Sequence, residues 1–204
     1  GGIRSLLENA LGVDTSEESA VDIDDVQLAE SQLSDADRNG LAAIVGADHV
    51  RTGHRDRLLR AGGKSTLDLL RRKKTHQDAP DAVLLPANED EVAQLLAYCS
   101  EHRIDALSFR AAPTVGGGAA PRLAVLPARR GTTVVGGVDP IRGEFSAVVS
   151  VDLRRLNEMH WLDKVSGEAE LGAGLTGPDA ERLLGEEGFS IGHFPQSFRF
   201  ATIG

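Results

Sequence analysis

The chain has 204 residues, with 22 Lys and Arg against 31 Asp and Glu, a formal net charge of −9 and 41% hydrophobic residues. That suffices for one large domain or two small ones with a real core. The acidity argues against non-specific binding of nucleic acid or anionic membrane, and the hydrophobic content argues against global disorder. The single cysteine, Cys99, excludes a disulfide framework and Cys-cluster zinc sites. No apolar run approaches the ~18 residues of a membrane span. Gly1-Gly2-Ile3-Arg4 opens no signal-peptide h-region, so a cytoplasmic location is expected. With no initiator Met and a final Ala201-Thr202-Ile203-Gly204, the chain is expected to be a piece of a longer protein.

Residues 1–77 read as a mostly helical N-terminal arm. The acidic stretch 14–37, with Asp22, Asp24 and Asp25 close together, repels itself and is expected to be partly a solvated arm. Ser34 with Asp37 forms a capping box before Leu41-Ala42-Ala43-Ile44-Val45, and Gly46 suits the helix end. Ser65 with Asp68 repeats the device, and Arg71-Arg72-Lys73-Lys74 reads as the C-terminal turn of that helix.

Pro80 opens a different regime. Ala82-Val83-Leu84-Leu85, closed by Pro86, reads as a buried strand. Asn88 with Glu91 caps a helix whose Val92, Leu95, Leu96 and Cys99 share one face, and residues 104–109 form a second strand. Strand, helix and strand make a βαβ unit. Cys99 reads as inert core, since no basic neighbour activates it. Residues 147–152 form a β-branched strand ending at Asp152. Trp161-Leu162-Asp163 and Glu168-Ala169-Glu170-Leu171 form an antiparallel hairpin turning at Ser166-Gly167, with one polar face. Thr176 with Asp179 caps a last helix, which Gly188 ends. The fold class is α+β.

Several motifs are decoys. Gly62-Gly63-Lys64-Ser65-Thr66 resembles the end of a Walker loop, but Leu58 stands where its first glycine belongs and no strand precedes it. Gly172-Ala173-Gly174-Leu175-Thr176-Gly177 is a full GxGxxG, yet its strand belongs to a hairpin, and Gly192-His193-Phe194-Pro195 stands where a ribose-binding acid should be. Its glycines are expected to serve a tight turn from hairpin into helix. The six histidines include no i,i+4 ligand pair, so no metal is expected, and no Gly-x-Ser-x-Gly elbow is present.

A Gly/Thr loop, Gly131-Thr132-Thr133-Val134-Val135-Gly136-Gly137, follows the strand-like Leu123-Ala124-Val125-Leu126. Successive N–H groups in such a loop can cradle a diphosphate. Pro80-Asp81-Ala82-Val83-Leu84-Leu85-Pro86 with Asp90-Glu91-Val92 comes before it. Val149-Ser150-Val151-Asp152-Leu153, Leu156-Asn157, Trp161-Leu162-Asp163, the 172–177 glycines, Gly192-His193-Phe194-Pro195-Gln196-Ser197 and Ala201-Thr202-Ile203-Gly204 follow it. In this order they resemble the PCMH-type FAD-binding domain of the vanillyl-alcohol oxidase family. The details are similar to alkyldihydroxyacetonephosphate (alkylglycerone-phosphate) synthases of ether-lipid synthesis and to bacterial FAD-linked oxidases. The resemblance implies a truncated FAD-binding domain over 78–204 with non-covalent FAD. Pro127, Ala128, Arg129, Arg130, Gly131, Thr132, Thr133 and Val134, with Gly136 and Gly137, would wrap the diphosphate. Pro195, Gln196, Ser197, Phe198, Arg199, Phe200, Ala201 and Thr202 would run along the cofactor. In that family the flavin takes a hydride from a hydroxyl-bearing carbon or, in the synthase branch, exchanges an acyl group for an alkoxide.

The resemblance also implies that the small-molecule substrate is bound by a cap domain this chain does not contain. No catalytic residue is therefore named, the chain alone is expected to be inactive, and a homodimer is expected. One departure stands out. The family's Pro-x-Gly-Gly-Gly-Thr loop here reads Pro127-Ala128-Arg129-Arg130-Gly131-Thr132, and 107–118 partly echoes it nineteen residues earlier, which marks an irregular insertion near 110–128. The alternative is a non-catalytic remnant that has lost flavin binding.

Overall fold

The computed structural model describes residues 2–12, 21–63, 66, 76–102, 104–107, 139–143 and 145–204. In chain order these carry α1 (Gly2–Leu11), β1 (Gln27–Leu28), α2 (Asp35–Val45), β2 (Val50–Arg51), α3 (His54–Leu58), β3 (His76–Gln77), β4 (Ala82–Leu84), α4 (Glu89–Glu101), β5 (Ile104–Leu107), β6 (Ala147–Val151), β7 (Met159–Asp163), β8 (Glu168–Leu171) and α5 (Gly177–Glu186). The predicted helix at Ser65, its basic tail, the strand at 123–126 and everything from 108 to 138 lie outside the described residues.

The central sheet has four strands in the order β2-β4-β6-β5. The βαβ unit β4–α4–β5 leaves a gap that β6 fills, parallel to both neighbours, with Val149 opposite Ala82 on one side and Ala106 on the other. Every residue of β6 is buried, as befits a parallel strand covered on both faces. Ala82, Leu84, Val149 and Val151 join Leu41 and Val45 of α2 and Leu95 and Cys99 of α4 in one core. Val83, Val148 and Ser150, of opposite parity, are also buried. Full burial of Leu41, Leu84 and Leu95 contributes about 2 kcal/mol each.

The arm belongs to this sheet as much as the later residues do. Val50 and Arg51 pair antiparallel with Leu84 and Val83, and α3 packs against β4. Three predicted caps form: Ser34, Asn88 and Thr176 accept from Asp37, Glu91 and Asp179 N–H respectively. Each satisfies a donor the first helical turn would otherwise leave unmet.

Where α2 meets α4, Tyr98 Oη donates to Asp37 Oδ1 at 3.2 Å and the phenol ring stacks on His102 with centroids 3.9 Å apart. Burial first, then the Asp37 charge and hydrogen bond, push this phenol above its ordinary 10.0. The folded form therefore holds its proton longer. The associated stability is complete below the unfolded value and is lost as pH rises through the folded one. The chain has one tyrosine, so phenolate absorbance reads this group alone. The expected midpoint lies above that of the urea-unfolded chain and falls back in Asp37→Ala; coincident midpoints would refute the contact.

Candidate functional site

Ligands of open parallel sheets bind beyond the carboxyl ends of the strands. Here β6 ends at Asp152, which is fully buried and whose N–H donates to Leu84 O at 2.8 Å. Its carboxylate caps a 3-10 turn, Leu153–Arg155, by accepting from Arg154 N at 3.1 Å. It also accepts from Arg154 Nε at 3.0 Å and from Arg60 Nη2, so two guanidiniums share one carboxylate. The hydrogen bond to Asp152 raises the Arg154 guanidinium above its ordinary value. Arg155 Nη1 donates to Leu85 O at 2.8 Å, tying the turn to the end of β4.

At the other end of the sheet, Asp81 is equally buried and accepts from Val148 N at 2.7 Å, Gln32 N at 2.9 Å and Arg142 Nη2 at 2.8 Å. Arg57 lies beside it, with Nε donating to Pro80 O at 2.7 Å and Nη2 to Ala29 O at 2.8 Å. Burial lowers the Arg57 guanidinium from its ordinary value and the Asp81 charge pulls it back. Sequence reasoning missed both clusters. Arg57 and Arg60 sit in a run of charges that reads as a solvated helix face, and only the position of Asp152 at the end of a β-branched strand carried any signal.

The hairpin β7–β8 is antiparallel, as expected, with Leu162 opposite Ala169 and Trp161 opposite Glu170. From it the chain enters 172–177. Gly172 N donates to Glu158 O and Gly174 N to Leu156 O, both at 2.8 Å. None of Gly172, Gly174 and Gly177 has a positive φ. Instead each lets something approach: a Cβ would overlap Leu156 O at Gly172, Leu153 O at Gly174 and the Phe198 ring at Gly177. The GxGxxG therefore serves close approach of neighbouring chain rather than the tight-turn conformation expected of its glycines.

Of the predicted cofactor residues, 127–134, 136 and 137 lie outside the described residues. Residues 195–202 are described. Phe198 N donates to Pro195 O at 2.9 Å and Ala201 N to Ser197 O at 2.8 Å, forming tight turns with the Phe194 and Phe198 rings 5.1 Å apart. The chain then straightens and docks on the glycine loop. Ile203 N donates to Leu175 O at 2.9 Å, Gly204 N to Ala173 O at 3.1 Å and Gly177 N to Ala201 O at 3.4 Å. These bonds flank the antiparallel pair Thr176–Thr202, so the N–H and C=O of Thr202 turn to the opposite side. In the same stretch of chain Phe194, Phe200 and Ile203 are exposed. A flat aromatic ring system with a polar edge, as in a flavin, matches exposed apolar side chains next to an outward-turned peptide group, so these residues fit the cofactor. Among the described residues no three His, Cys, Asp or Glu side chains gather as metal ligands, and no helix is long and apolar enough to cross a membrane.

Comparison with known proteins agrees with this geometry. The family model described as FAD binding domain matches residues 80–204. Protein Rv2250A of Mycobacterium tuberculosis is 60% identical over 86 residues, 42% of this chain and 58% of that protein. The alkyldihydroxyacetonephosphate synthase of Trypanosoma brucei brucei is 32% identical over 166 residues, which cover 80% of this chain. A solved alkyldihydroxyacetonephosphate synthase superposes over 99% of the chain with a TM-score of 0.80 and 27% identity. The chain spans 24% of the trypanosomal synthase and 35% of the solved one. With more than half of its length matched by the family model, the chain belongs to the FAD-binding domain family of flavoprotein oxidases and alkyldihydroxyacetonephosphate synthases, with FAD as the cofactor.

Proposed function

We propose that this chain is the FAD-holding part of a flavoenzyme similar to alkylglycerone-phosphate synthase, and that 78–204 hold the cofactor while 1–77 brace the sheet. The observation that carries the reading is the extended segment at Thr202, whose N–H and C=O face away from Thr176 and which the exposed Phe200 and Ile203 accompany in the chain. Bound FAD supplies hydride acceptance or, in a synthase, the exchange of acyl for alkoxide. The backbone N–H groups of Gly131, Thr132 and Thr133, with the two threonine hydroxyls, hold the diphosphate, and Gly136 and Gly137 allow close approach. Residues 195–202 lie along the ring system. Substrate and acid–base groups belong to a cap domain outside this chain, so the chain alone turns over no substrate. The assembled enzyme is a cytoplasmic homodimer of the ether-lipid type.

A second reading, a remnant without flavin, is favoured by Arg129 and Arg130 standing at the glycine positions of the loop. Titration with FAD, followed by flavin fluorescence, separates the two. Saturable binding is expected. Deleting residues 111–129 keeps or improves it, and Gly131→Val abolishes it. No binding by the unaltered chain or by the deletion variant supports the remnant. Loss on deletion with Gly131→Val unaffected moves the working loop to Gly116-Gly117-Gly118. Robust substrate turnover by the chain alone would refute the missing cap.

A further inference from the structure

We infer that Arg60, contributed by the N-terminal arm, is a positioning residue that holds residues 198–204 in place. The inference rests on the reading of 195–202 as the flavin segment. Arg60 is 9% exposed and lies far from that segment in sequence, yet a continuous series of hydrogen bonds and close contacts joins the two. Arg60 Nη2 fixes Asp152 Oδ2, which leaves Oδ1 to accept from Arg154 N and cap the turn Leu153–Arg155. That turn sets two carbonyls. Leu153 O accepts from Leu156 N at 2.9 Å and lies where a Cβ on Gly174 would be; Leu156 O accepts from Gly174 N at 2.8 Å and lies where a Cβ on Gly172 would be. The loop bearing those glycines in turn bonds the terminal segment, through Ala173 O to Gly204 N and Leu175 O to Ile203 N.

From the turn Leu153–Arg155 onward each link is backbone against backbone, so a shift of that turn has nowhere to relax before residue 204. Arg154, the other partner of Asp152, belongs to the turn itself and is half-exposed, so it moves with the carboxylate and cannot anchor it. Asp152 N and Arg155 also tie the turn to Leu84 O and Leu85 O at the end of β4, and the carboxylate itself is held from outside the turn by Arg60, three residues beyond Arg57, which is bonded to Pro80 O. The arm thereby reaches the cofactor side of the domain without touching the cofactor.

Hydrogen exchange of the full chain, read by mass spectrometry on segments, tests this, with FAD titration as a second arm. Arg60→Met is expected to raise exchange in 172–177 and 198–204 about tenfold while 82–84 and 147–151 exchange as in the unaltered chain. Arg60→Lys, which keeps the charge, restores most of the protection. Half-saturation by FAD and the visible circular dichroism of bound flavin shift in the same order across the series. If Arg60→Met does not fold, Arg60→Lys alone is expected to give the same localised pattern at a few-fold level. Equal acceleration in all segments, or none in 198–204, overturns the positioning role. The localised pattern with unchanged FAD affinity supports the positioning of 198–204 and overturns instead the flavin reading of 195–202.

Discussion

Replacing Gly174 by alanine is expected to destabilise the chain by about 3 kcal/mol, at the upper end of overpacking penalties. The added Cβ overlaps Leu153 O and closes to 3.0 Å on Arg154 Cα, both backbone atoms. Neither side can give way. Leu153 O is held by Leu156 N at 2.9 Å, the turn is capped by buried Asp152, and Gly174 is held by its own bond to Leu156 O. Gly185 is the control. It sits in α5 with nothing within 4 Å of its Cβ position, so Gly185→Ala is expected to be neutral or to stabilise by up to about 1 kcal/mol through helix propensity. Urea unfolding followed by far-UV circular dichroism measures both, with an unchanged slope as the sign that only stability moved. A Gly174→Ala effect within about 0.5 kcal/mol of zero would contradict the packing. A saturable NAD signal lost on the same substitution would return the glycines to a nucleotide role.

What was legible in the sequence had local causes. The capping residues Ser34, Asn88 and Thr176 announce themselves because a cap needs only a side chain three residues from its donor. The all-buried β6 is legible as a valine-rich run, and the hairpin as alternation broken by Gly167 at φ 73°. The glycines of 172–177 have the spacing of a dinucleotide site, and what separates the two readings is the antiparallel strand before them, a local feature. Illegible parts depend on distant partners. β2 is two residues long and is a strand only because Leu84 and Val83 lie beside it. Arg57 and Arg60 look like solvent-facing cations, and nothing near them in sequence reveals that Pro80 O and Asp152 receive them. The proposed flavin role of 195–202 rests on resemblance rather than on the segment's own chemistry, since an exposed Phe200 on an isolated chain signals only that something covers it.

Asp81→Ala is expected to cost about 4 kcal/mol, the range for breaking one half of a buried ion pair. The carboxylate is fully buried and gathers three separate pieces of chain: Gln32 N of the arm, Val148 N of β6 and Arg142 Nη2. Alanine leaves the buried Val148 N–H and the part-buried Gln32 N–H without their acceptor, and leaves Arg57, already lowered by burial, without the charge that offsets it. Asp81→Asn keeps the shape and one acceptor but turns an NH2 toward donors, so its cost falls between wild type and alanine. The exposed i,i+4 pair Arg182–Glu186, 3.0 Å apart, provides the contrast: Arg182→Ala is expected to change stability by less than about 0.5 kcal/mol. Arg142 also stands five residues after Gly137, so its release frees the exit of the proposed diphosphate loop. Under conditions where Asp81→Asn remains folded, its FAD affinity should therefore drop further than that of a core variant of equal stability loss, such as Leu95→Ala. Equal FAD affinity in those two stability-matched variants would confine Asp81 to holding the sheet, whereas a loss below about 1 kcal/mol in Asp81→Ala would contradict the buried network itself.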